Sequence, residues 1–347
     1  MNQIRTALLS YGMSGKVFHA PFLHLHPGFE LLGSWERSKK LIQNDYDNTR
    51  SYASLEEVLN DESVDLVVVN TPTYTHYEYA KKALEAGKHI IVEKAFVGSS
   101  AEAEELRDLA KSKGLKLAVF QNRRWDSDFQ TVKAVIDQGV LGDVVEARIA
   151  FDRYNPALSP KTHKETPSSG AGIIKDLGAH VIDQALTLFG MPEGVFADIR
   201  TTRKDSEVDD YFDILLKYTD KSVHVHGGYF FAQPHEEFAI HGTNGSFLKS
   251  RADVQEDQLK AGIKPNDDEY GIEPDLAQGL VKFMKNGEPQ VEYVETMHGD
   301  YMEYFEGVYQ SIVNDVPEPV SAQDGVNVMK IIDAAFDSAE SGYLIKL

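Results

Sequence analysis

Over the first 120 residues, short apolar runs alternate with amphipathic stretches. Runs at residues 4–9, 30–35, 65–70, 89–93 and 116–120 predict strands, and the segments between several of them predict helices with readable ends. Ser54-x-x-Glu57, Thr75-x-x-Glu78 and Ser99-x-x-Glu102 have the form of a capping box, in which a hydroxyl and a carboxylate each satisfy an open amide of the first turn. Gly87 and Gly114 stand where such helices would stop. Leu66-Val67-Val68-Val69 is continuously apolar, which suits a parallel strand covered on both faces. This alternation predicts a doubly wound α/β domain.

Beyond Phe120 the rhythm changes. Residues 126–138 predict a helix stopped by Gly139, 143–151 a strand, and 172–188 a second helix. Between 194 and 249 apolar and polar positions alternate, in segments such as 211–218, 222–231 and 236–241. Turns at Thr219-Asp220-Lys221 and Gly242-Thr243-Asn244-Gly245 punctuate them, so a second, largely antiparallel sheet is expected. Polar stretches at 154–171 and 251–274 predict long loops, of the kind that serve as lids or binding arms. Helices at 299–314 and 321–341 close the chain. The predicted organisation is a dinucleotide-type domain over 1–121 and a substrate-binding, oligomer-forming α+β domain over 122–347, with the C-terminal helix able to pack back on the first.

Charge narrows the partners. A net charge of −20 on 347 residues opposes association with nucleic acid or anionic lipid, which leaves small molecules. Cysteine is absent, so disulfides, thiolate zinc sites and thiol nucleophiles are excluded. Within the N-terminal MNQIRTALLS the apolar stretch runs only from Ala7 to Leu9, too short for a signal-peptide core, and no run approaches the roughly 20 apolar residues of a membrane span. A soluble, cytoplasmic protein is expected.

Ser10-Tyr11-Gly12-Met13-Ser14-Gly15 follows the first strand and precedes a helix-compatible stretch. It is the phosphate-cradling turn G-x-G-x-x-G with serine in the first glycine position. Gly12 would let the backbone approach a pyrophosphate, and Gly15 would let helix and strand pack closely. Glu36, 21 residues past Gly15 (36 − 15), stands near the offset of a carboxylate that accepts the adenosine ribose hydroxyl. It favours NAD(H), whereas Arg37, Lys39 and Lys40 offer cations to the 2′-phosphate of NADP(H). Asn70-Thr71-Pro72 ends the third predicted strand with His76 shortly after, and Glu93-Lys94 ends the fourth. Ligands of such sheets bind beyond these strand ends.

In this order and spacing, the glycine turn, Asn70-Thr71-Pro72 with His76, Glu93-Lys94, Asn122-Arg123-Arg124-Trp125-Asp126, Asp176-Leu177-Gly178-Ala179-His180 and the 319–325 stretch PVSAQDG resemble the Gfo/Idh/MocA oxidoreductases. The FHAPFL stretch after the glycine turn and the 122–126 signature most resemble the scyllo-inositol dehydrogenase-like branch. The resemblance implies a Rossmann domain, a C-terminal domain on an open sheet, and NAD(P)-dependent hydride transfer on sugars or cyclitols. It implies His180 as acid/base, Lys94 at the reacting oxygen and Asp176 assisting.

Oxidising a secondary alcohol needs a base for the hydroxyl proton and positive charge near the developing alkoxide. Asp176 and His180 are four apart on a predicted helix, which puts them on one face. The preceding Ser168-Ser169-Gly170-Ala171-Gly172 is small enough to bring that helix start near a ligand. With one Asp and one His, no metal is expected there. The family places proline after the lysine, but Ala95 stands here, and a cis peptide before alanine costs about 3–4 kcal/mol. Asn122, Arg124, Trp125 and Tyr154 are candidates for polyol binding. A catalytically silent, nucleotide-sensing regulator is the rival from another class, and elimination or glycoside cleavage with bound cofactor is a third reading. A homodimer or homotetramer through the second sheet would cover its open face.

Overall fold

The computed structural model describes residues 3–36, 39–160 and 162–347. The chain forms two compact units, both discontinuous in sequence. The first comprises Met1–Asn122, Gln255–Tyr270 and Asp300–Val326, and the second Arg123–Val254, Gly271–Gly299 and Asn327–Leu347. A single cut after residue 121 was the expected division; two later segments instead join the first unit.

Six parallel strands form the first unit's sheet: β1 (Ile4–Leu8), β2 (Phe29–Trp35), β3 (Arg50–Tyr52), β4 (Leu66–Val69), β5 (His89–Glu93) and β6 (Leu117–Phe120), in the order β3-β2-β1-β4-β5-β6. This is the order of a Rossmann sheet, which reverses direction between β1 and β4. The five predicted strands are present. β3 had no apolar run to announce it: it is the three-residue edge strand Arg-Ser-Tyr.

Two of the three capping boxes form. The Ser54 hydroxyl accepts the Glu57 amide at 3.1 Å while Glu57 accepts that of Ala53, and Ser99 and Glu102 close the corresponding pair. The third does not. Thr75 donates its hydroxyl to the Pro72 carbonyl, and Glu78 pairs along the helix with Lys82, because the chain enters this helix through a 3-10 turn at Thr73–Thr75.

The later segments supply aromatic rings to the first unit. Phe22 stacks on Phe305 with centroids 5.0 Å apart and planes 7° from parallel, and meets Tyr270 and Tyr301 edge-on or tilted. The predicted loop at 251–274 in fact contains a helix, Gln255–Ala261, that tertiary contact explains better than its sequence does. Its Gln255 is buried and accepts the Tyr301 amide at 2.8 Å.

The second unit is built on nine strands: β7 (Val144–Ala150), β8 (Gly194–Arg200), β9 (Tyr211–Lys217), β10 (Ser222–Gly228), β11 (Phe238–Gly242), β12 (Gly245–Lys249), β13 (Gly279–Lys285), β14 (Glu288–Val294) and β15 (Ile345–Lys346). Their order is β14-β13-β12-β11-β7-β10-β9-β8-β15, antiparallel throughout except for β7 beside β10. Helix Ala179–Phe189 covers β7 and β10, burying Val181, Ile182 and Ala185. It is entered through a π-helical turn, Ile174–Gly178, so the expected single helix over 172–188 is two pieces. The other predicted loop, 154–171, holds one short helical turn at Thr162–Glu165. Among the described residues, no helix is long and apolar enough to cross a membrane.

Candidate active site

The glycine turn occupies the end of β1, at the point where the sheet order reverses. Its two glycines are glycines for different reasons. A Cβ on Gly15 would lie 2.3 Å from the Ser10 carbonyl oxygen and 3.0 Å from Asn70 Nδ2, so close packing within the chain requires the bare backbone. A Cβ on Gly12 would meet nothing nearer than Ser10 Oγ at 3.5 Å. No internal contact demands glycine there, which leaves room for an outside group.

Ser10 completes the turn that the missing glycine would have made, its hydroxyl accepting the Gly12 amide at 3.3 Å. The Lys16 amide donates to the Gly12 carbonyl, so the amides of Met13, Ser14 and Gly15 lie in a first helical turn, where no intrahelical acceptor exists. Such amides favour a phosphate. Met13 is half exposed beside them. At the end of β4, Asn70 donates to the Ser10 carbonyl at 2.8 Å, while its Oδ1 is buried with no hydrogen-bond partner. An open Gly12 face, first-turn amides and an orphaned amide oxygen together fit a dinucleotide.

Glu93, at the end of β5, ties this turn to the lysine. Its Oε1 accepts the Ser14 hydroxyl at 2.6 Å and lies 3.0 Å from His19 Nε2, and its Oε2 accepts the Lys94 amide at 3.1 Å. Burial opposes ionisation of Glu93, but hydrogen bonding and charge from His19 and the Ser14 hydroxyl outweigh it and hold the carboxyl below its ordinary range. Glu93 thus positions its neighbours rather than facing solvent. His19 was not among the expected residues; its place in the FHAP stretch was the available signal.

The peptide between Lys94 and Ala95 is cis. His76, expected beside the cofactor, is fully buried: Nε2 lies 2.7 Å from the Thr71 carbonyl, and Nδ1 is 3.2 and 3.1 Å from those of Ala95 and Phe96. It joins the Asn70-Thr71-Pro72 turn to the backbone after Lys94. Burial holds its imidazole below the usual histidine range. Thr71 shares a hydroxyl bond with Thr75, and Pro72 is exposed.

At the end of β2, Glu36 accepts the amides of Leu41 and Ile42 at 2.6 and 3.1 Å and the Ser51 hydroxyl at 3.1 Å. Lys39 and Lys40 are exposed, and Arg37 lies outside the described residues.

In the second unit, His180 begins helix Ala179–Phe189 and is buried. Asp176, in the π turn before it, accepts Lys164 Nζ at 2.7 Å. The small residues upstream have a local cause at Gly172. Its φ is +92°, and a Cβ there would fall 1.9 Å from Asp209 Oδ1. The Asp209 carboxylate also accepts the Ile174 amide at 2.9 Å, and burial pushes its carboxyl up to about 6. Asn122 and Trp125 lie in the 3-10 turn Asn122–Trp125, the former buried. Arg124 forks onto Asp183 at 2.8 and 2.7 Å, so its guanidinium is held by the chain. Tyr154 is 64% exposed and bridges to Phe230. One further cluster, Asp152 with His226 and His235, was not legible, since its members come from separate elements.

The Gfo/Idh/MocA oxidoreductase family model for an NAD-binding Rossmann fold matches residues 4–121, and that for the family's C-terminal α/β domain matches 133–347. The chain belongs to this family. As an oxidoreductase of the Gfo/Idh/MocA type, it is 34% identical over its whole length to scyllo-inositol 2-dehydrogenase (NADP(+)) IolW of Bacillus subtilis, covering 97% of that protein. It is 39% identical to the uncharacterized oxidoreductase C115.03 of Schizosaccharomyces pombe, with both chains fully covered. An oxidoreductase crystal structure from Bacillus cereus superposes with a TM-score of 0.92 at 33% identity over 99% of each chain.

Proposed function

We propose that this family member transfers hydride between NAD(P) and a secondary alcohol or ketone of a sugar, inositol or related polyol. The observation that carries the reading is the Gly12 face, open where Gly15 is closed, at the end of β1 beside the orphaned Asn70 oxygen. The full-length likeness to a named inositol dehydrogenase supports the substrate class.

Gly12, Met13, Ser14 and Gly15 would hold the pyrophosphate through backbone amides, with Asn70, Thr71 and Pro72 bounding the same strand ends. When bound, the nicotinamide supplies the hydride acceptor or donor. The remaining work belongs to side chains of this chain. His180 takes the hydroxyl proton as the alcohol is oxidised and returns it in the reverse direction, and the Lys94 ammonium stabilises the alkoxide oxygen as charge develops. Asp176 tunes His180, and Asn122, Trp125 and Tyr154 bind the polyol. The Glu36 carboxylate stands at the end of β2, which favours NAD(H), while Lys39 and Lys40 keep NADP(H) admissible.

The test follows nicotinamide absorbance with both cofactors against a panel of inositols, aldoses and ketoses. Lys94→Ala and His180→Ala should each lower kcat by at least about 100-fold, as loss of a positioned proton-transfer group does, with cofactor affinity by fluorescence little changed. Normal turnover in both variants would overturn the assigned roles. Cofactor binding by the unaltered chain with no turnover on any polyol would favour the regulator.

A further inference from the structure

Among the described residues, one trio of potential metal ligands is gathered outside the site described above: Asp152, His226 and His235, whose ligand atoms all lie within 4.8 Å of one another. Asp152 follows β7 and its side chain is completely buried; His226, on β10, is 3% exposed. His235 lies in the connection between β10 and β11 and is 40% exposed. Asp152 Oδ1 is 2.7 Å from His226 Nδ1, and Oδ2 is 2.7 Å from His235 Nδ1. The His235 amide donates to the same Oδ2 at 3.0 Å, fixing the loop against the carboxylate.

Two imidazoles thus converge on one buried carboxylate, and their ring centroids are 4.8 Å apart. Phe231 packs on both, edge-on to His226 at 4.9 Å and tilted to His235 at 5.3 Å, which limits ring rotation. Asp213 stands opposite His226 in the β9–β10 register and adds negative charge nearby. Burial opposes ionisation of Asp152, but the hydrogen bonds from both histidines and the His235 amide outweigh it and keep the carboxylate charged.

We propose that Asp152, His226 and His235 bind one divalent ion of the zinc class, through a carboxylate oxygen and the two Nδ1 atoms, with water completing the shell. Imidazole nitrogen with carboxylate selects zinc, nickel or cobalt over magnesium and calcium, which prefer all-oxygen sites. The proton balance is simple. Binding requires each ring to be neutral, with its hydrogen on Nε2 and a lone pair on Nδ1; a ring that carries a second proton gives it up to water as the metal binds. With metal–ligand bonds near 2.0–2.2 Å, tetrahedral neighbours stand roughly 3.3 Å apart, so the 2.7 Å contacts must open by about half an ångström. The exposed His235 loop can supply that movement at its own contact, and a turn of the Asp152 carboxylate must supply it at buried His226; the loop is also the route of entry from solvent. Bound metal would fasten the β10–β11 connection to the sheet, a role independent of hydride transfer.

Zinc titrated calorimetrically into the chelator-treated full chain tests the proposal, with cobalt as a spectroscopic probe of nitrogen coordination. The unaltered chain should bind one more zinc ion than His235→Ala, and zinc should raise its melting temperature but not that of the variant. His235 is partly exposed, so the variant should fold, and equal metal-free melting temperatures verify this. Asp152→Asn, which preserves shape and lowers ligand charge, should weaken zinc binding at least about tenfold. Equal zinc stoichiometry in the chain and His235→Ala, no saturable binding, or equal response to magnesium would overturn the proposal.

Discussion

Gly12 and Gly15 sit three residues apart in one turn yet answer to different forces. Replacing Gly15 with alanine pushes a methyl group against a backbone carbonyl that cannot rotate away, 2.3 Å from its ideal position. Overpacking of this kind costs about 1–3 kcal/mol, so Gly15→Ala should lower the urea midpoint visibly. Gly12→Ala has no such neighbour. Its urea midpoint should match that of the unaltered chain while cofactor affinity, measured by fluorescence, falls at least about tenfold, or roughly 1.4 kcal/mol. Equal cofactor affinity in Gly12→Ala would show that the open face does not meet the dinucleotide. Ser10 belongs to the same logic: its hydroxyl closes the turn from inside, which is why the departure from glycine is tolerated.

The π turn Ile174–Gly178 and the helix after it carry Asp176 and His180, and Asp209 anchors their start through the Ile174 amide. With its carboxyl raised to about 6 from an ordinary 3.8, Asp209 holds its proton more tightly in the folded chain than in the unfolded one. Stability should therefore fall as pH rises from about 4 to 6, then level off. Asp209→Asn keeps an oxygen for the Ile174 amide and removes the titration. The difference between the two stability curves, from urea unfolding at each pH, should span on the order of 1–3 kcal/mol across that window. A flat difference would mean that Asp209 titrates normally.

The same elements show what periodicity reveals and what it hides. Strands β4, β5 and β6 were legible because burial on both faces leaves an apolar run through their centres, and β1 and β2 because shorter apolar pairs survive beside Arg5 and Glu30. The edge strand β3 and helix Gln255–Ala261 were hidden because partners elsewhere in the chain hold them in place. Site residues followed the same division. Gly12, Asn70 and Lys94 were marked by their position at strand ends, whereas the Ser14–Glu93–His19 connection joins residues 79 and 74 apart and leaves no local pattern. His76 was marked by its place after a strand end, but its burial against the carbonyls of Thr71, Ala95 and Phe96 left no local pattern: a histidine can shape a site from full burial.

At the scale of the whole molecule, the glycine turn and Lys94 belong to the first unit, so the cofactor's effect is expected on that unit. A ligand held only by the folded first unit stabilises it by mass action, about 2.7 kcal/mol at one hundred times its dissociation constant. Calorimetric scans with saturating cofactor should move the transition of that unit upward by several degrees, and Gly12→Ala, at the same cofactor concentration, should cut the shift to about half or less. No shift with NAD(H) or NADP(H) would contradict the cofactor assignment.

The discontinuity of the first unit also has a meaning for synthesis. Phe22 is made early, but the rings it packs against, Tyr270, Tyr301 and Phe305, are made near the end. Domains usually fold in the order in which the ribosome delivers them. Here the nascent glycine turn and its sheet must wait, with an apolar flank exposed, until more than two hundred further residues have emerged, as the separations of Phe22 from these rings require. A ribosome stalled before residue 300 would hold a dinucleotide fold lacking part of its core, and chaperones have that interval in which to bind it.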